Sequence, residues 1–287
     1  MSYSINQHFI PSTMVYLNSA NADTYGGDPL KRSWCYFLFK EPVVNNIPES
    51  YQVLVSINAA EIPCSFFVIN ENNREFIFSV QGITYTIILD LGNYTAYEMA
   101  TDLNDQNIKN RPANLPFSFR TEYDDVDNKF DFIFTNGFGD AGIQVSLLPP
   151  MRSPQFGLSG NALTTDMDNP GGAKITSDCC VDLSGSRVIF IKILNINTPA
   201  YDSRTAQSGN ILGRIPITAE PNGIIYWENT SGFKVKAPIK NISMFEVQLV
   251  DENDNLIDFR GVDWSFSLQF DVIGESPTEY RPDRPFM

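Results

Sequence analysis

From Trp264 to Val272 every second residue is apolar: Trp264, Phe266, Leu268, Phe270 and Val272 share one side, with Ser265, Ser267, Gln269 and Asp271 between them. A period of two marks a half-buried β-strand, and a helix would scatter these five residues around its surface. Tyr51–Asn58 repeats the pattern with Val53, Val55 and Ile57, and Ile242–Val250 carries Phe245, Val247 and Leu249 on one face. Strands that each offer one apolar face must close those faces against one another, so the spacing predicts an all-β sandwich or barrel.

Shorter apolar runs fill the rest of the chain. They are Thr13–Asn18, Trp34–Phe39, Cys64–Ile69, Arg74–Val80, Ile83–Leu89, Phe117–Tyr123, Phe130–Thr135, Ile143–Leu148, Cys180–Leu183, Val188–Leu194, Ile211–Ile217, Ile224–Trp227 and Phe233–Lys236. Gln81-Gly82 predicts a tight hairpin, and Asp124–Asn128 and Asp251–Asn255 predict turns. One helix is expected near residues 95–108. Thr95 and Glu98 form a capping box, and Met99, Ala100 and Leu103 follow at helical spacing. Residues 149–174, rich in Pro, Gly, Ser and Asn, read as a long surface connection.

The first three strong strands and the five after residue 180 make eight, the number in one antiparallel jelly roll. The expected organisation is a jelly-roll domain from residues 13–63 and 175–273. Residues 64–174 would form an inserted β-rich subdomain with the helix, residues 1–12 an N-terminal arm and residues 274–287 a C-terminal tail. A rival grouping uses every run and gives two tandem small jelly rolls.

Composition narrows the function. Apolar residues make up 43%, with 21 Phe, 12 Tyr and 3 Trp, enough for a substantial core, while charged residues are only 19%. Few charges and many aromatics suit a surface partly hidden in a partner. Twenty basic residues face 34 acidic ones, for a net charge of −14, so direct binding to a nucleic acid is not expected. Residues 1–12 lack the apolar centre of a signal peptide, and no stretch is long enough to span a membrane. A cytosol-like compartment is therefore expected, where the four cysteines stay reduced.

Catalytic and metal chemistry find little support. His8 is the only histidine and falls in the expected arm, a poor place for a held general base. No CxxC pair suggests zinc. Asp251–Asn255 resembles a calcium loop, but Leu256 and Val262 stand where an EF-hand needs Gly and Glu, so a turn is expected. Asp258 and Asp263, paired about Gly261, read as loop-shaping carboxylates in preference to a glycosidase pair. Of the tryptophans, Trp264 belongs to the core, and Trp227 is the better candidate for an exposed contact.

The order of several short segments resembles the jelly-roll minor capsid and penton proteins of large DNA viruses of algae and protists and of their virophages. Val15-Tyr16-Leu17-Asn18-Ser19-Ala20-Asn21 resembles their opening strand, and Ser56–Pro63 the strand ending in Ile-Pro. Leu91-Gly92-Asn93-Tyr94-Thr95 resembles their helix start. Val181–Gly185 and Ile257–Trp264 resemble their late strands. Ala22 departs from the pattern, where a basic residue is expected. The resemblance implies a non-enzymatic structural subunit without cofactor, in the virion capsid and assembled in the host cytoplasm. It implies other capsid proteins as partners, the major capsid protein among them. It leaves open a minor shell protein or a homo-pentameric penton at the five-fold vertex.

A jelly-roll glycan- or receptor-binding module is the competing class, and it should show an aromatic-lined pocket at loop ends. The tail favours the shell. Arg281 and Arg284 alternate with Pro282, Asp283 and Pro285, and Phe286 and Met287 add an apolar anchor. Such an arm is costly to order without a neighbouring surface.

Overall fold

The structure is a computed structural model and describes residues 12–110, 117–136, 144–149, 152–166, 172–196, 201–202, 207–208, 210–238 and 241–274. The chain divides into two units, one of residues 1–66 and 186–287, the other of residues 67–185. The first unit opens with β1 (Thr13–Asn18), β2 (Thr24–Tyr25), β3 (Trp34–Leu38) and β4 (Tyr51–Pro63). The second holds β5 (Glu75–Val80), β6 (Ile83–Ile88), α1 (Ala96–Asn110), β7 (Phe117–Asp124), β8 (Lys129–Asn136), β9 (Gln144–Leu147), β10 (Leu163–Asp166) and β11 (Ala173–Thr176). The chain then returns through β12 (Val188–Ile193), β13 (Tyr201–Asp202), β14 (Gln207–Ser208), β15 (Ile211–Pro216), β16 (Ile224–Glu228), β17 (Val235–Ala237), β18 (Met244–Val250) and β19 (Ser265–Gly274).

Two antiparallel sheets build the first unit. One runs β1-β19-β4-β16, with β17 also on β4; the other runs β15-β12-β18-β3-β2. With β16 and β17 counted as one strand and the two-residue pieces set aside, eight strands remain. They pair first with eighth, second with seventh, third with sixth and fourth with fifth. This nested pairing is a long hairpin rolled on itself, which is a jelly roll. The second unit leaves between the third and fourth of these strands, β4 and β12.

Alternation sets the core. Val53, Val55 and Ile57 face inward with Phe266, Leu268 and Phe270, and meet Phe245, Val247, Leu249, Ile189 and Ile191 of the other sheet. β4 carries a bulge. Ser267 pairs with Ala59 and Leu268 with Ile57, so Asn58 has no partner on β19. The extra residue reverses the phase, and beyond it Ala60 and Ile62 point inward. The neighbouring strand breaks at the same place: β16 pairs with residues 59–63 and β17 with residues 53–55. Between them the Asn229 amide donates to the Asn58 carbonyl at 2.9 Å.

The second unit has sheets β10-β9-β5-β6 and β11-β8-β7 around an aromatic core. Phe76 stacks on Phe132 at 4.7 Å and Phe78 on Phe119 at 5.2 Å. Gln81 (φ 51°) and Gly82 (φ 79°) make the two-residue turn between β5 and β6. The helix starts where the capping box places it. The Thr95 amide donates to Glu98 Oε2 at 2.8 Å, and the Glu98 amide donates to Thr95 Oγ1 at 3.3 Å. Met99, Ala100 and Leu103 enter the core.

Three expectations need correction. Cys64–Ile69 is not a strand; only Ile69 makes a bridge, to Gly92. Cys180–Leu183 is not a strand either, and Val181 and Leu183 pack against the second core from irregular backbone. Residues 149–174 are more than a surface connection. They include a 3-10 turn (Pro154–Phe156) and β10, begin β11 and bury Phe156 and Leu158.

Candidate functional site

The segments 15–21 and 257–264, far apart in sequence, meet at one end of the first sheet. Asn18 closes β1, and its side chain accepts from the Ala20 amide at 2.9 Å, which turns the chain. Ser19 is fully buried there. Its amide donates to the Trp264 carbonyl at 3.0 Å, its hydroxyl donates to Asp263 Oδ1 at 2.7 Å, and the Trp264 amide donates back to that hydroxyl at 3.1 Å. Arg32, in the left-handed region at φ 58°, offers its carbonyl to the Trp264 indole N–H at 2.7 Å. Its guanidinium lies over the Tyr25 ring, 4.9 Å from the centroid, and its Nε is 3.5 Å from Asp263. The two segments thus lock the first and last strands of the roll.

Beside this lock lies a cleft of about 410 Å³. The end of β4 (Glu61, Pro63) and Ser65 form one wall, Asn222, Gly223 and Ile224 another, and Val262–Ser265 with Asn18 the rest. The segment 56–63 therefore joins the other two, so three of the five resembling segments converge here. Two carboxylates, Glu61 and Asp263, line the cleft, and among the described residues no Lys or Arg does. Asp263 is engaged by Ser19 and Arg32, whereas the Glu61 carboxylate has no ion pair or side-chain hydrogen bond among the described residues. Ile224 and Val262 are half exposed and give the cleft an apolar rim.

The cleft offers no ring for a sugar to stack on. Trp264 is 1% exposed, its ring stacked on Phe266 at 5.2 Å and met edge-on by Phe37. Of the two hydroxyls in the lining, Ser65 donates to the Phe259 carbonyl at 2.7 Å, and Ser265 is the other. Burial pushes the Cys35 thiol up to about 12 and raises that of Cys64, so both stay protonated at neutral pH. Asp258 accepts from the Arg260 amide at 2.9 Å, and Asp251 from the amides of Asn253 and Asn255, both at 2.8 Å. These carboxylates shape loops.

Trp227 is half-buried on β16 and packs against the first core, while Tyr226 beside it is 71% exposed. Arg281, Arg284, Phe286 and Met287, and His8, lie outside the described residues. The other two resembling segments both approach Val68 in the second unit. The Val68 amide donates to Asn93 Oδ1 at 2.8 Å, and Gly185, at φ 66°, passes so close to Val68 that a Cβ would sit 3.1 Å from its methyl. Sequence reading missed Arg32, Glu61, Ser65 and Asn222 as cleft or lock residues. Only Asn222-Gly223 carried a local signal, that of a turn; Asn222 does have φ 67°.

The strand order defines a jelly-roll protein with a β-rich unit inserted between the third and fourth strands. No family model and no curated protein matches the sequence. Among solved structures, the chain is similar to the mavirus penton protein, at 12% identity and TM-score 0.48, over 92% of this chain and 100% of that one. It is also similar to a chain in the 3.5 Å cryo-EM structure of the Sputnik virophage, at 12% identity and TM-score 0.39, over 90% and 98%. At these scores the fold rests on the strand pairing, not on the superpositions.

Proposed function

We propose that this chain is a non-enzymatic structural subunit of an icosahedral virus capsid, resident in the virion and assembled in the host cytoplasm. It packs against other capsid proteins, including the major capsid protein, as a minor shell protein or as a homo-pentameric penton. The observation that carries the reading is what the resembling segments do. Five short motifs in capsid-protein order fall on the strand lock and cleft of the jelly roll and on the close approach of Gly185 to Val68 in the inserted unit. They hold a scaffold together.

The tail belongs to the same reading: Arg281, Arg284, Phe286 and Met287 contact a neighbouring subunit. Trp227 is a further contact residue beside the exposed Tyr226. Light scattering of the purified chain separates the two positions, since a closed pentamer fits the vertex and a monomer fits a minor shell protein. Deleting residues 274–287 tests the arm. The truncated chain should fold normally and fail to enter particles; normal occupancy would reject the arm.

A further inference from the structure

We infer that the cleft between β4, β16 and the start of β19 receives the C-terminal segment 281–287 of a second copy of this chain. This rests on the capsid reading and deepens it by giving the tail a receptor. Of the two carboxylates in the lining, Asp263 is engaged by Ser19 and Arg32, which leaves Glu61 to meet a cation, and Pro63, Ile224 and Val262 form an apolar rim. Glu61 is exposed, and its carboxylate has no ion pair or side-chain hydrogen bond among the described residues, although its backbone pairs with Ser265 of β19 and Tyr226 of β16. A fitting occupant carries guanidinium groups and apolar side chains on an extended backbone. Residues 281–287 read Arg-Pro-Asp-Arg-Pro-Phe-Met, with two cations to one carboxylate, an apolar Phe-Met pair and prolines that favour an open backbone.

Reach decides which copy supplies it. Ser265, at the start of β19, lines the cleft, and Gly274 ends the strand at its far end. The ten residues of β19 span about 30 Å, so the tail departs about that far from its own cleft. Arg284 is ten residues past Gly274, a reach of about 31 Å at the rise of an extended proline-rich chain. Reversing direction after Gly274 uses part of that reach, so the tail could meet its own cleft only when stretched along the whole length of β19. The cleft of an adjoining copy carries no such constraint. Charge pairing of Arg284 with Glu61 fixes the register, and Phe286 lies against Ile224 and Val262.

The test uses the full chain with Phe286→p-benzoylphenylalanine, prepared separately with light and heavy nitrogen and mixed before irradiation. Mass spectrometry should find position 286 joined to peptides containing residues 61–65, 222–224 or 262–265, in light–heavy pairs. Glu61→Gln, at an exposed position, should lower the cross-link yield several-fold, and Glu61→Arg combined with Arg284→Glu should restore it. Cross-links elsewhere, cross-links within single chains only, no cross-link, or a yield indifferent to Glu61→Gln would each overturn the inference. The cross-link is read on the purified chain and particle incorporation on virions, so failure of this docking is distinguishable from failure of the capsid reading.

Discussion

Thr95 closes the first turn of α1 from both directions, through its hydroxyl to the Glu98 amide and its amide to the Glu98 carboxylate. The hydrogen bonds from Thr95 hold the Glu98 carboxyl below its ordinary value of 4.5. A depressed folded-state value means the carboxylate stabilises the fold above the unfolded value and loses that effect as pH falls through the folded one. Losing the capping hydroxyl, Thr95→Ala should cost about 1 kcal/mol at neutral pH in denaturant unfolding. The cost should shrink once the pH drops below 4.5 and Glu98 takes up its proton. A cost that does not change with pH would show that the 2.9 Å bond from the Thr95 hydroxyl to the Glu98 carboxylate takes no part in the cap.

At the scale of elements, β19 is the strand on which the roll closes, because it pairs with both β1 and β4. Phe270 is 1% exposed and its ring lies 5.9 Å from Phe245 of the opposite sheet. Phe270→Ala should cost about 3–5 kcal/mol, measured as a fall in the unfolding midpoint without a change in slope. Strands like this one are legible in a sequence because burial on one face writes itself into every second residue. The helix is legible because its cap is local. Cys64–Ile69 and Cys180–Leu183 misled because apolar side chains such as Ile69, Val181 and Leu183 can fill a core from irregular backbone. β10 and β11 were missed because four-residue strands, LTTD and AKIT, are too short to show a period. The cleft was hidden for another reason. Its walls come from four separated segments, and Glu61 looks like any exposed residue of a strand until β16 and β19 are placed beside it.

Over the whole molecule, stability comes from two separate apolar cores, and the acidic loops are satisfied internally. The Asp251 carboxylate takes the amides of Asn253 and Asn255, and Asp254 pairs with Lys192, which is 9% exposed. A cation is not required to hold that loop, so EDTA should leave the melting temperature unchanged. A fall of several degrees, reversed by calcium, would contradict this. The central claim is that the chain is a shell subunit, and its most direct test is quantitative mass spectrometry of purified particles. A shell subunit should be found at a fixed ratio to the other shell proteins, about five copies per vertex for a penton. A chain present in infected cells but absent from purified particles would contradict it.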